Sequence, residues 1–218
     1  MPTRLRVRMP DRPGALGRLA AALGAAGVDI RQVRALDRAA GRAVVDVLVA
    51  LPAAMLPSAA ARLLSGIPGV RLDGCWQAGD SLELDLGLEA LAETLAAPHR
   101  ALPVLVDAAP RVVAAHWAAA LVVPSGRIVR ASWRAPRLAP GPLGGVRPHT
   151  STAADGTRLA VVPLGREHAL LAGRRNAPSF HQSELHSLTT LARAAARLIE
   201  LAADARPAGA NLSLVGDR

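Results

Sequence analysis

Met9-Pro10-Asp11-Arg12-Pro13-Gly14-Ala15-Leu16-Gly17-Arg18-Leu19-Ala20-Ala21-Ala22-Leu23-Gly24-Ala25-Ala26-Gly27-Val28-Asp29-Ile30 decides how the first half of the chain is read, because its periodicity changes twice. Just upstream, Leu5, Val7 and Met9 alternate with Arg4, Arg6 and Arg8, the period-two pattern of a strand with one buried face. Leu16, Leu19, Ala20 and Leu23 then recur at helical spacing and should form one apolar stripe. Pro10 to Gly14 is the tight loop between them, and Pro13 suits a helix start, where its missing donor costs nothing. Gly24 and Gly27 punctuate the helix exit, and Val28-Asp29-Ile30 opens another strand. The unpaired N–H groups at such a helix start make it a candidate site for a small anion or an amino acid.

Working downstream, the second strand is expected over Asp29 to Leu36, a hairpin loop over Asp37 to Gly41, and a third strand over Arg42 to Leu51. Met55 to Leu64 should be a short helix with Leu56, Ala60, Leu63 and Leu64 inward. Ser65 to Gly69 then turns the chain into a last strand, Val70 to about Trp76. This βαββαβ order predicts a ferredoxin-like layer pair, a four-stranded antiparallel sheet with both helices on one face. The other face carries Arg4, Arg6 and Arg8. Alternating strands normally leave charge on the open side, so a solvated row is expected there rather than a phosphate or partner contact.

The run Asp11-Arg12-Pro13-Gly14-Ala15-Leu16, the helix ending in Gly27-Val28-Asp29-Ile30, Gly41-Arg42-Ala43-Val44-Val45-Asp46-Val47 and Ile67-Pro68-Gly69-Val70 together resemble the ACT domain, over about Thr3 to Trp76. The resemblance implies a small-molecule site, typically for an amino acid, at a homodimer interface. Met9, Asp11, Arg12, Gly14, Ala15 and Leu16 would lie on one side of it, and Asp29 and Ile30 on the other. In the best-known amino-acid-binding members Asn stands at the positions of Asp11 and Asp29, and His at that of Met9. An Asn can donate to a ligand carboxylate, whereas an ionised Asp only accepts, so two facing aspartates would favour an ammonium group or a cation. Both also have structural alternatives: Asp11 can cap the helix and Asp29 can pin the turn after Gly27.

Gln77 to Glu83 breaks the alternation and reads as a linker. Leu84 to Ala97 turns helical, with Leu88, Leu91 and Leu95 as the expected apolar row and Glu89 and Glu93 outside. Leu102 to Ala114 is a second helical stretch that Pro110 must kink, split or restart. From His116 the period becomes two: Trp117 to Val123 and Ile128 to Trp133 flank the turn Pro124-Ser125-Gly126-Arg127. Ala135 to Asp155 is rich in Pro and Gly and reads as a mobile loop or lid. Strands are expected at Arg158 to Leu164 and His168 to Arg174, followed by a long amphipathic helix, Gln182 to Ala203, and a disordered tail from 204.

The strand endings of this half, with Pro178-Ser179-Phe180-His181-Gln182 opening the last helix, resemble a divergent GAF domain, which implies a small-molecule sensor pocket and dimerisation through terminal helices. The expected architecture is α+β: an ACT-like ferredoxin-like domain over 1–76, a linker over 77–83, and a GAF-like domain over 84–203 with an antiparallel sheet and a long C-terminal helix. Trp117, Trp133 and His149 are candidate pocket residues, with core packing the favoured role for the tryptophans.

Charge and composition narrow the function classes. The formal net charge of +9 invites a nucleic-acid reading, in which an Arg-rich face would serve a transcriptional regulator. All 26 basic residues are Arg, however, and there is no Tyr and one Phe, so codon bias in a GC-rich genome accounts for the basicity as readily, and no aromatic platform for bases is visible. The excess is also uneven: 11 arginines against five acidic residues up to Gly74, and 15 against 12 beyond it. Cys75 is the single cysteine, which offers no intrachain disulfide or metal cluster and fits a reducing compartment. No run of about twenty apolar residues is present, and the opening Met1-Pro2-Thr3-Arg4 leads directly into a strand, so neither a membrane span nor a signal peptide is expected and the cytoplasm is the expected location. His181 and His186 would stand about 140° apart on a helix and share no face, so no metal is expected. Nothing resembles a nucleophile elbow, a phosphate loop or a dinucleotide loop, and no cofactor is expected. The expectation is a non-catalytic regulatory protein.

Overall fold

The computed structural model describes residues 2–77, 86–137 and 146–204. Its first half is β1 (Thr3–Pro10), α1 (Ala15–Ala25), β2 (Asp29–Ala39), β3 (Arg42–Ala50), α2 (Pro57–Ser65) and β4 (Arg71–Gln77), an antiparallel sheet in the order β2-β3-β1-β4. Alternation in β1 sends Leu5, Val7 and Met9 into a core shared with Val45, Val47 and Val49 of β3 and Leu19 and Leu23 of α1. Each such leucine taken fully out of water contributes about 2 kcal/mol.

Details depart from expectation for identifiable reasons. The buried stripe of α1 is Ala15, Leu19 and Leu23, at intervals of four, and Leu16 is rotated out of it to 43% exposure. Strand β2 runs three residues past Leu36, because the hairpin is the two-residue turn Ala40-Gly41, with φ of 50° and 70°, rather than a five-residue loop. Leu56 precedes α2 and is exposed instead of packing inward.

The second half comprises α3 (Leu86–Ala96), one 3-10 turn (Pro98–Arg100), α4 (Ala101–Val112), β5 (Trp117–Val122), β6 (Ile128–Ala131), β7 (His149–Thr152), β8 (Arg158–Leu164), β9 (His168–Arg174) and α5 (Gln182–Asp204). Its antiparallel sheet is ordered β6-β5-β9-β8-β7. Ala118, Ala120, Val162, Leu170 and Ala172 pack under the helices, while Trp117, Leu121, Val161 and Leu171 form a second apolar layer on the opposite face. Gly173 leaves room for its cross-strand neighbour: a Cβ there would fall 2.2 Å from the Trp117 ring.

Of the row expected on helix α5, Leu185, Leu188, Leu191, Ala192 and Ala195 are buried and Leu198 and Ile199 are half-buried, as the helix runs past the sheet it packs on. Helix α3 does not follow its expected row. It packs on α4 through Ala90 and Thr94, whose hydroxyl donates to the Ala90 carbonyl at 2.7 Å, and this turns Leu88 and Leu95 outward. Pro110 is accommodated inside α4 without splitting it. Part of the expected 135–155 loop is strand β7, paired along β8, and 138–145 lie outside the described residues. Trp133, expected in a core, is 97% exposed. Gln77, expected in the linker, ends β4, and Asp204, expected in the tail, ends α5, because the ladder and the helix each run one residue further; the rest of the expected linker (78–83) and tail (205–218) lies outside the described residues. No helix among the described residues is long and apolar enough to cross a membrane.

The largest correction concerns the open face of the first sheet. Arg4 and Arg6 do not form a solvated row; that face is covered by the 174–184 segment and α5, and only Arg8 projects to the exterior, paired with Asp73. Gly74 of β4 is a point of close approach, since a Cβ there would lie 2.4 Å from Cδ of Pro178.

Candidate functional site

At the α1 entry, Ala15 N–H donates back to the Arg12 carbonyl at 3.1 Å. Gly14, at φ +81°, is the N-cap residue, and no side chain caps the helix. Asp11 therefore does not cap it: its N–H donates to the Gly41 carbonyl at 2.9 Å, and its carboxylate faces Nε of Arg38 at 3.6 Å. Asp29 does not pin the preceding turn either. Main-chain bonds from Gly27 and Val28 to the carbonyls of Gly24 and Leu23 close that turn, and Asp29 pairs with Arg31 Nε at 2.9 Å. Each aspartate thus carries its own guanidinium, which relieves the repulsion that a ligand carboxylate would otherwise meet.

The other expected site residues divide by burial. Met9 and Ala15 are 4% exposed and spend their side chains in the core, so only their main chain could meet a ligand. Arg12, Gly14 and Leu16 are exposed, and Ile30 is half-buried against the core. Within one chain the two halves of the site do not come together. Asp29 is paired with Ala50 and Ala39 with Arg42, so the Asp29–Ile30 end and the Asp11 loop occupy opposite ends of the sheet. The eight intervening steps along β3 correspond to about 27 Å.

A second constellation, absent from the sequence reading, lies under the open face of the first sheet. Arg6 donates from Nε and Nη2 to both oxygens of Asp46 on β3, at 2.8 and 2.9 Å, and from Nη1 to the Ser179 carbonyl at 3.2 Å. Its Nη2 also lies 2.9 Å from Oε2 of Glu184. Arg174, the last residue of β9, is fully buried and donates to both oxygens of Glu184, at 2.9 and 3.1 Å, and to the carbonyls of Pro178 and Ser179 at 2.8 and 2.9 Å. The Trp76 ring lies 5.4 Å from the Arg6 guanidinium carbon and 5.2 Å from that of Arg174, within cation–π range of both, and Phe180 lies 4.0 Å from Arg174.

Glu184 has a third donor. His181 N–H reaches its Oε2 at 2.7 Å, so Glu184 closes the start of α5 as a capping-box carboxylate at the positive helix end. Burial alone would raise its carboxyl, but the charges of Arg174 and Arg6 outweigh this and hold it below the usual range. Burial is also the largest influence on Arg6, yet its hydrogen bond to Asp46 and the charge of Glu184 prevail and raise it. For Arg4 and Arg174 burial prevails and lowers both.

The signals for this cluster were present but ambiguous. Asp46 is an acid inside the otherwise apolar Val44–Val49 run, and Glu184 stands three residues after the helix entry. Neither names a partner, because Arg6 lies 40 residues from Asp46 and Arg174, ten residues before Glu184, belongs to a different element. Asp46 is register-paired with Arg6 across β1–β3, a juxtaposition that the strand pairing alone supplies. Among the described residues no group of three or more His, Cys, Asp or Glu could hold a metal ion.

Comparison with known proteins bears on the first half alone. No curated protein matches the chain. Among solved structures, a formyltetrahydrofolate deformylase from Pseudomonas putida KT2440 aligns at 15% identity with a TM-score of 0.29, covering 44% of this chain; the chain thus spans only 38% of the deformylase. An unknown protein from Galdieria sulphuraria aligns over 92% of both chains, at 15% identity and a TM-score of 0.32. Scores at this level carry no argument about fold or activity. The ACT domain family model matches residues 3–64, the span that holds the α1 entry loop and the whole of β2. Residues 3–64 are therefore an ACT domain, a module that generally binds small regulatory ligands.

Proposed function

We propose that the protein is a non-catalytic regulator that acts as a homodimer and binds an amino acid where the α1 entry loop of one protomer meets the start of β2 of its partner. The observation that carries this reading is the position of β2: it is the outer strand of the sheet, and the two halves of the site lie at its opposite ends. An outer strand presents unpaired N–H and C=O groups ready to accept another strand. Antiparallel pairing of two β2 strands about a two-fold axis near Arg34 sets Asp29 opposite Ala39 of the partner subunit, beside the partner's Asp11. Val33, exposed on β2, would lie close to that axis.

The composite site would then offer Asp11 with Arg38 and Arg12 from one protomer, and Asp29 with Arg31 from the other. Carboxylates for an ammonium and guanidiniums for a carboxylate suit a zwitterion better than the bare aspartates suggested. The second half supports a GAF-like sensor module through its sheet order and long terminal helix, and the single, half-buried Cys75 agrees with a cytoplasmic setting.

Light scattering should give a dimer mass. A thermal-shift screen of the amino acids should find one that adds about 2.7 kcal/mol of stability at a hundred times its Kd. Asp11→Asn and Asp29→Asn should alter that shift. A monomer mass, or no shift for any amino acid, overturns the reading.

A further inference from the structure

A cleft of about 690 Å³ opens between the uncovered part of the ACT sheet and helices α3, α4 and α5, well removed from the α1 entry loop. Its volume is that of a small-molecule pocket. One wall carries Arg4 and Arg34 from the sheet, and Arg111 enters from the end of α4. Opposite them, α5 contributes His186, Ser187 and Thr190, while Leu36, Leu91 and Leu191 supply apolar surface.

The charge around the cleft does not balance. Arg4, Arg6 and Arg174 are buried or nearly so, and among the described residues Asp46 and Glu184 answer them. Arg6 and Arg174 take the close contacts, so Arg4 is left with a single long one, Nη1 to Asp46 at 3.8 Å. Its Nε is buried without a hydrogen-bond partner among the described residues. A buried guanidinium donor left unsatisfied is costly, and the charge of Arg34 acts on the same group unfavourably. An arriving anion would offset the surplus charge of this group and of Arg34.

We propose that this cleft is a binding site for a small monoanionic carboxylate with an apolar body, held at its charged end by Arg4, Arg34 and Arg111. Guanidinium forks match carboxylate geometry, the surplus of one buried positive charge calls for a monoanion, and the leucine-lined wall leaves room for several carbons. The site shares no residue with the α1 loop, but Arg34 belongs to β2 and lies near the two-fold axis proposed above, so Arg111→Gln alone, on α4, is titrated beside the double variant and should weaken binding in the same direction.

The test is calorimetric titration of the full chain with hexanoate and with 4-methyl-2-oxopentanoate, and with inorganic phosphate as the bodiless anion. At least one carboxylate should bind, and phosphate at least tenfold more weakly. The double variant Arg34→Gln/Arg111→Gln, which changes only exposed side chains, should weaken carboxylate binding tenfold or more. Thr190→Trp, which fills the cleft without removing a charge, should do the same. Arg12→Gln and Asp29→Asn should leave it unchanged even if they abolish an amino-acid response. Binding of neither carboxylate, equal binding of phosphate, or an affinity untouched by the double variant overturns the proposal.

Discussion

Arg6 of β1 and Glu184 of α5 meet at 2.9 Å in the interior, each with a side chain at most 4% exposed, and they tie the ACT sheet to the last helix of the chain. Neither group is paired once only. Arg6 is also clamped by Asp46, and Glu184 by Arg174 and the His181 N–H, so ions that would be costly in isolation form a network whose close partners are hydrogen-bonded.

Glu184→Gln leaves Arg6 and Arg174 facing one carboxylate, Asp46. Removing one partner of a buried pair costs about 3–5 kcal/mol, which urea unfolding should register. Glu200→Gln, in the exposed pair with Arg197, should change stability by less than about 1 kcal/mol and is the matched control.

Gly74→Ala tests how closely the 174–184 segment seats on β4. The new methyl would meet the Pro178 ring, whose atoms lie 2.4 and 2.8 Å from the added Cβ, and a proline ring has little freedom to swing aside. A loss of about 1–3 kcal/mol is expected, with a change in the emission of the neighbouring Trp76.

Acid should weaken the fold in two stages. His116 is held below its ordinary value of 6.5, by burial and then by the charges of Arg174 and Arg134. Glu184 is held below 4.5, where Arg174 and Arg6 outweigh burial. In both cases the unfolded chain takes up the proton more readily, so the contribution is complete above the unfolded value and is lost as pH falls through the folded one. Denaturation midpoints should decline gently below about pH 6.5 and more steeply below about 4.5; stability that stays flat down to pH 4 would contradict the first stage.

Ala40 adopts φ +50° in the β2–β3 turn, a conformation that L-residues other than Asn and Asp adopt at a cost. Ala40→Asn would create an Asn-Gly turn matched to the twist of the hairpin, and a gain of roughly 1 kcal/mol in thermal or urea unfolding is expected.

Val33→Lys tests the proposed assembly. Two ammonium groups would face each other near the two-fold axis of a β2–β2 pairing. The variant should run at the monomer mass in light scattering while keeping its circular dichroism spectrum, and a retained dimer would place the interface elsewhere.

Strongly periodic stretches were legible in detail. Strands β8 and β9 begin and end where alternation and the Gly165 turn place them, and α5 buries the predicted row from Leu185 to Ala195. Legibility failed where apolar residues had two surfaces open to them. Leu88 and Leu95 have the spacing of an inward row, yet the close packing of α3 on α4 through Ala90 and Thr94 turns them out. Trp133 is apolar by composition and exposed by position.

Alternation, loop chemistry and glycine placement are local properties, and they sufficed to determine the βαββαβ order, the ACT resemblance and the antiparallel strands that follow it. What covers the open face of the first sheet is a non-local matter. Arg4, Arg6 and Arg8 are equivalent in a strand pattern, but the tertiary structure encloses Arg6 in a network, leaves Arg4 bordering a cleft with its Nε unpartnered among the described residues, and sends Arg8 to the exterior. The reason is that the value of a charge depends on its partners and its dielectric surroundings, and here the partners, Asp46, Arg174 and Glu184, arrive from a neighbouring strand and from the far end of the chain.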